Sequence, residues 1–183
     1  MFDATAASKL PAYTLTARAL HWITAALVLA MISAGIVIAN DWGGPVQEPL
    51  YDLHKATGAL LLPLVVARLI YRLTHAPAPL PPDIPALQQT AAHATHWMLY
   101  VLLIVQPIVG WVATSAYPAP LPFFGLFHLP PIWPEDRDFS DQMFGYHRLI
   151  GLVLAAVAAV HIGAALSHYF IRKDRVLMRM ITG

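Results

Sequence analysis

The chain has 183 residues, 58% of them hydrophobic and only 11% charged, with a formal net charge of +1. A soluble domain carries about 25% charged residues, so this composition excludes an ordinary water-facing fold, and the near-neutral balance gives no footing for nucleic acid. There are no cysteines, which removes disulfides, thiolate metal sites and cysteine-held iron–sulfur clusters. The nine histidines are therefore the richest supply of metal ligands.

Four apolar stretches follow in chain order. The first, Trp22 to Ala39, extends to a predicted helix over about residues 15–39. It follows a segment with little positive charge, and no small-residue cleavage site stands after it, so it reads as a span rather than a signal peptide. The second stretch, Ala56 to Ile70, is short by itself. A span needs about 20 mostly apolar residues, so the predicted helix covers about residues 50–74 and carries His54, Lys55 and Arg68 towards membrane depth. His75 to Thr90 then holds Pro77, Pro79, Pro81, Pro82 and Pro85. Proline lacks a backbone donor and has a fixed φ, which rules out a long helix there.

The third stretch, Trp97 to Ala116, is interrupted by Pro107 and predicts a helix over about residues 91–116. Pro107, like Pro63 in the second helix, is a potential kink. A second proline-rich connection, Tyr117 to Gln142, is apolar and aromatic, as in Phe123-Phe124-Gly125-Leu126-Phe127. It reads as lying at the membrane interface, anchored by Trp133 and the phenylalanines. The fourth stretch, Leu149 to Leu166, predicts a helix over about residues 143–171. The expected fold is all-α: one domain, a four-transmembrane-helix up-and-down bundle, whose core is a usual place for cofactors.

Charge sets the orientation. The N-terminal segment, the loop after the second helix and the C-terminal tail hold Lys9, Arg18, Arg68, Arg72, Arg172, Lys173, Arg175 and Arg179. The opposite side holds only Lys55, Arg137 and Arg148, together with seven carboxylates from Asp41 to Asp141. Cytoplasmic loops are those enriched in Lys and Arg, so both termini are expected in the cytoplasm.

Ionisable groups at membrane depth are costly and mark function. His21 opens the first helix, His54 sits in the first turns of the second, and His147 and His161 share the fourth. The last two are 14 residues apart, which returns to nearly the same helix face about 21 Å further along. Depth then pairs His21 with His161 on the cytoplasmic side and His54 with His147 on the outer side. Each of the four is followed four residues later by a small residue, Ala25, Gly58, Gly151 or Ala165, on the same helix face, where a flat macrocycle would approach the backbone. Zinc asks for three or four ligands around one point. Two facing imidazoles suit a six-coordinate haem iron instead, whose task is to move electrons.

Several residues stand beside this set. Arg68 lies 14 residues after His54 and so shares its face at the depth of the cytoplasmic pair, where it would meet a haem propionate. Lys55 and Arg148 flank the outer pair and would contact propionates or attract an anionic donor. His96, which starts the third helix on the cytoplasmic side, is the rival ligand. With His168 and Arg72 it forms a candidate quinone or proton site. His93, His75 and His128 read as structural or interfacial groups.

At this point the sequence resembles the prokaryotic di-haem cytochrome b561 family, over nearly the whole chain. The resemblance rests on Ala19-Leu20-His21-Trp22, Leu53-His54 with Gly58, Arg68 with Arg72, and Ala92-His93-Ala94-Thr95-His96. It continues in His147, in His161 leading to His168-Tyr169-Phe170, and in the tail Lys173 to Met180. It implies two haem b groups and quinone-linked electron transfer in the bacterial inner (plasma) membrane. One implied activity is oxidation of superoxide at the outer face with ubiquinone as acceptor. Wider relatives are haem-bearing anchor subunits of dehydrogenases or hydrogenases, where the electron donor is a partner protein. A metal or haem transporter, with the histidines as transit sites, is the remaining alternative; it would want exchangeable ligands rather than matched pairs.

Overall fold

The computed structural model describes residues 12–76, 79 and 84–182. Lys9, Pro77, Pro81 and Pro82, invoked above, lie outside the described residues. Four long helices dominate: α1, Leu15–Ala39; α2, Gln47–Thr74; α3, Ala86–Ala116; and α4, Arg137–Ser167. With the short segments that adjoin α2 and α4, the four spans are 25, 31, 31 and 36 residues long. Each exceeds the ~20 residues needed to cross a bilayer core. An even number of spans returns the chain to its starting side, giving the up-and-down bundle expected for this composition.

Each helix begins for a local reason. Thr14 caps α1, its side chain accepting the backbone N–H of Ala17 at 3.2 Å. A single tight turn over Gly44–Val46 leads into α2, which starts at Gln47, earlier than the sequence pattern suggests. Asp136 caps α4, its carboxylate accepting from Phe139 N–H at 3.0 Å, with Asp138 adding negative charge to the first turn. That cap starts α4 at Arg137, six positions before the expected start at 143, because capping follows a side-chain hydrogen bond rather than the onset of apolar residues. Pro63 and Pro107 lie inside α2 and α3, which continue through them.

The loop before α4 folds as a small hairpin that the sequence pattern did not reveal. β1, Leu121–Phe123, pairs antiparallel with β2, Phe127–Leu129. Phe124 and Gly125 turn it with φ of +50° and +74°, a region glycine enters without steric cost. Its flanks are tied back to α3: Trp111 Nε1 donates to the Pro130 carbonyl at 3.1 Å, and Ile132 N–H to Ser115 Oγ at 3.1 Å. Buried Ser140 donates to the Ala113 carbonyl at 2.9 Å, fixing the start of α4 on the end of α3.

The core is thin. Val28, Leu61, Val65, Tyr100, Leu103 and Leu154 form its buried cluster. Meanwhile Val101 and Val160 are 57% and 65% exposed at mid-helix. In water such faces would be an aggregation hazard; in hydrocarbon they are at home. Packing around the bundle is uneven. α3 lies along α4, α1 along α2, and α2 along α3, while α4 stands off from α1 and α2. That loosely packed side is where the histidines of α4 face those of α1 and α2.

Beyond α4 a wide turn over His168–Arg172 ends at Lys173 in the left-handed region, φ +55°. The tail, including the four-residue α5 at Met178–Ile181, folds back over the start of α1. Trp22 Nε1 donates to the Met180 carbonyl at 2.9 Å, and the Arg18 guanidinium to the Ile181 carbonyl. Arg179 is 4% exposed and donates to the Pro79 carbonyl at 2.8 Å. The start of α1 and the tail that follows α4 therefore meet at one end of the bundle.

Candidate functional site

The structure brings the four predicted ligands together in two pairs, one towards each end of the bundle. His21 on α1 faces His161 on α4 with ring centres 6.3 Å apart and planes crossed at 63°. His54 on α2 faces His147 on α4 at 6.1 Å and 77°. An imidazole nitrogen lies about 2 Å from a metal it ligates, so two rings facing across one metal have centres about 6 Å apart. Both pairs meet that spacing. Among the described residues, no three His, Cys, Asp or Glu side chains converge on one point, so the donor set is of the kind that completes a metal already held in a macrocycle plane. The stand-off of α4 from α1 and α2 supplies a seam for a flat group. His54 Nδ1 is buried without a hydrogen-bond partner among the described residues, an unmet polar atom. These features fit a bis-histidine haem at each end.

The outer pair is closely seated. His147 Nδ1–H donates to the backbone carbonyl of Gln106 on α3 at 3.1 Å, the bond to a carbonyl that ligand histidines usually make. It leaves Nε2 with its lone pair. The Gln106 carboxamide donates to the His147 carbonyl at 2.9 Å and stands 3.3 Å from that Nε2; a metal on Nε2 takes over the second contact only. Gly110 lies against the ring, and a Cβ there would come 2.9 Å from His147 Cε1. Gly35 does the same for His54, more loosely, at 3.5 Å. Of the small residues expected to admit a macrocycle, Gly151 has its space taken by the Gln106 carboxamide, 3.0 Å from a built Cβ, and Gly58 faces Met31 Cε at 3.6 Å. Those two glycines serve helix packing.

Lys55 does not point a free charge outward. Its ammonium pairs with Asp52 at 2.9 Å and donates to the Pro120 carbonyl at 3.0 Å, clamping the hairpin to α2. Arg148, next to His147, is exposed.

The inner end is richer in cations and rings. Arg68 sits at the depth its spacing gives, donating to His21 Nδ1 at 2.8 Å, a bond that would give way when His21 ligates a metal, because a ring coordinating through Nε2 carries its proton on Nδ1; its guanidinium lies 5.3 Å over the Tyr100 ring. Arg72 lies 5.8 Å over the same ring. His96 stands beside His161 with ring centres 5.2 Å apart, nearer than His21 does. A cavity of about 90 Å³ opens between α1, α2 and the tail, lined by His21, Arg68, Arg72, Tyr71, Tyr13 and Met180 among others. His96 and His168 do not line it. His168 is instead bound to Asp174 at 2.5 Å, and His75 stacks on Tyr71 at 4.0 Å. His93 and His128 are exposed.

Sequence reasoning missed Gln106, Gly110 and Tyr100. Gln106 had a signal, as the lone amide in an apolar span. Gly110 and Tyr100 had none, since their roles depend on helices distant in sequence.

Known proteins resemble the chain over nearly its whole length. Residues 12–183 match the family described as prokaryotic cytochrome b561. The chain is 30% identical to cytochrome b561 homolog 2 of Escherichia coli K12, covering 92% of this chain and 90% of that one. It is 28% identical to cytochrome b561 homolog 1 of the same organism, covering 88% and 92%. It is 27% identical to the probable superoxide oxidase CybB of Yersinia pestis, covering 88% and 91%.

Proposed function

The chain belongs to the prokaryotic cytochrome b561 family, a multi-pass membrane electron-transfer cytochrome with haem b, and from that premise we propose that it holds two haem b groups and carries electrons from a donor at the outer face to the quinone pool of the bacterial inner membrane. The single observation that carries this reading is the pair of histidine pairs, at 6.3 and 6.1 Å, sharing α4. His21 and His161 would hold the inner haem, and His54 and His147 the outer one. When bound, such haems would supply reversible one-electron chemistry, each held by its histidine pair.

The protein's own groups do the rest. His147 keeps its ligand tautomer through the Gln106 carbonyl. Arg68 and Arg72 place positive charge at the inner end, where they would balance the propionates of a bound haem. For the donor, superoxide is favoured by the probable superoxide oxidase among the relatives and by exposed Arg148 beside His147, which would draw an anion inward. Each superoxide gives one electron and leaves as dioxygen; two electrons and two protons convert a quinone, ubiquinone or another, to quinol.

The test is an absorption spectrum and redox titration of the purified chain. Two low-spin b-type centres with separate midpoints are expected. One haem per chain, or a high-spin spectrum, would overturn the pairing. Stopped-flow mixing with superoxide and a quinone then tests the donor: reduction no faster than in a haem-free control removes superoxide from the scheme.

A further inference from the structure

One polar side chain inside the third span is a carboxamide. Gln106 lies in α3, five residues after exposed Val101, in a stretch otherwise built of apolar residues. An amide buried without full hydrogen bonding costs of the order of 1–3 kcal/mol in proteins, and Gln106 Oε1 is buried with no partner among the described residues. A leucine there would carry no such penalty, so the amide is kept for what its other atoms do.

The side-chain Nε2 addresses His147, as does the backbone carbonyl that any residue here would supply. The backbone carbonyl takes the ring Nδ1–H at 3.1 Å, and the carboxamide takes the His147 main-chain carbonyl at 2.9 Å. Gly110, one helical turn along α3, supports the ring from the same side, with no room for a Cβ. Gly151, one turn along α4, is bare because the carboxamide fills its place. Two glycines and one glutamine thus fix the position and plane of one imidazole. His54 across the site makes no bond through Nδ1 to a described residue, and His21 at the inner end receives Arg68.

We propose that Gln106 is the positioning residue of the outer site, bolting α3 to α4 at His147 so that the Nδ1–H bond stays short and sets the potential of the outer centre. The proposal rests on the reading of His147 as an outer haem ligand. A ring N–H donated to a carbonyl makes the imidazole more basic. A more basic axial ligand favours oxidised iron and lowers the potential. Loosening the bolt lengthens that bond, and the outer midpoint rises.

The experiment is a redox titration of the full haem-loaded chain carrying Gln106→Met, which has similar length and no amide. The outer centre is identified as the one lost in His54→Ala. Two haems are expected to remain, with the outer midpoint raised, its low-spin electron paramagnetic resonance signal shifted, and the inner midpoint unmoved. Gln106→Asn keeps an amide one methylene short and is expected to give a smaller rise in the same centre. Gly110→Ala pushes the ring from its seat and is expected to disturb the outer signal alone. Unchanged midpoints in both Gln106 variants, or both midpoints moving together alongside a lower melting temperature, would overturn the proposal and leave Gln106 a structural bolt. Retention of both centres in His147→Ala overturns the ligand assignment itself, and the proposal with it.

Discussion

His161 has two neighbours, and the nearer is not the one its depth and spacing select. The His96 ring centre lies 5.2 Å away and that of His21 6.3 Å. Proximity alone favours His96. The 6.3 Å spacing is that of two rings facing across a metal, whereas 5.2 Å leaves less than the ~2 Å each nitrogen needs. His21→Ala is therefore expected to lose the inner low-spin signal, and His96→Ala to keep it; the spectrum of each purified variant decides, and the reverse result would make His96 the ligand. Arg68 shows how far spacing reaches. Its depth was legible from the 14 residues after His54, but its bond to His21 was not, because side-chain reach between helices leaves no mark in one sequence. Asp174 offers a pH test outside the spans. Partial burial pushes its carboxyl up, but the hydrogen bond from His168, the backbone N–H of Val176, the charge of His168 and the hydrogen bond from Arg172 outweigh that and hold it below its ordinary value. A carboxyl lowered on folding contributes stability above its unfolded pKa and loses it as pH falls through the folded one. Thermal melts of the native chain and Asp174→Asn should thus differ at pH 7 and converge below about pH 4. A gap that persists in acid would show that the ionised carboxylate is not what holds the turn.

Among the elements, the four helices were legible because a span must be long, apolar and internally hydrogen-bonded, and that demand is written continuously along the chain. The hairpin was not. Its strands are three residues each, too short for an alternation to show, and one carries Pro122. The pattern Tyr117 to Gln142 reads as irregular because prolines and aromatics dominate it, while the pairing depends on the +50° and +74° turn at Phe124 and Gly125. The tail was equally silent, since its hold on α1 runs through carbonyls of Met180 and Ile181 that any residue would supply. The start of α4 lies between these cases. Asp136 followed by Asp138 is a cap signal, but the apolar stretch from which the helix is predicted begins only at Leu149. Asp136→Ala removes the acceptor for Phe139 N–H and should cost about 1 kcal/mol. Because α4 carries both His147 and His161, that cost should appear as earlier loss of the outer haem signal on heating, the frayed turn being the one nearest His147. Coincident loss of both centres would show that α4 melts as a unit and the cap has no local effect.

At the scale of the molecule, one helix serves both sites and touches the partner helices of those sites least. α4 packs on α3 and stands off from α1 and α2, so each pair closes a seam that protein side chains leave open. On the proposed function, electrons would run from the hairpin end to the end that holds the C-terminal tail. His147 is near the hairpin end, with Arg148 exposed beside it. His161 is near the end where the tail meets the start of α1 and where Arg68, Arg72 and the small cavity lie. The 14 residues between the two ligands span about 21 Å of helix, most of a ~30 Å hydrocarbon core. On the proposed reading, two haems would relay a charge across a distance that one haem at either face could not cover. Sealed vesicles with the hairpin end outward and ferricyanide trapped inside separate the steps. An outer donor such as superoxide should reduce the native protein, and the trapped acceptor should then be consumed. With His161→Ala the outer centre should still be reduced at the native rate, while consumption of the acceptor stops. With His54→Ala both should fail. If His161→Ala still empties the trapped acceptor at the native rate, electrons cross without the inner pair, and α4 is not the relay.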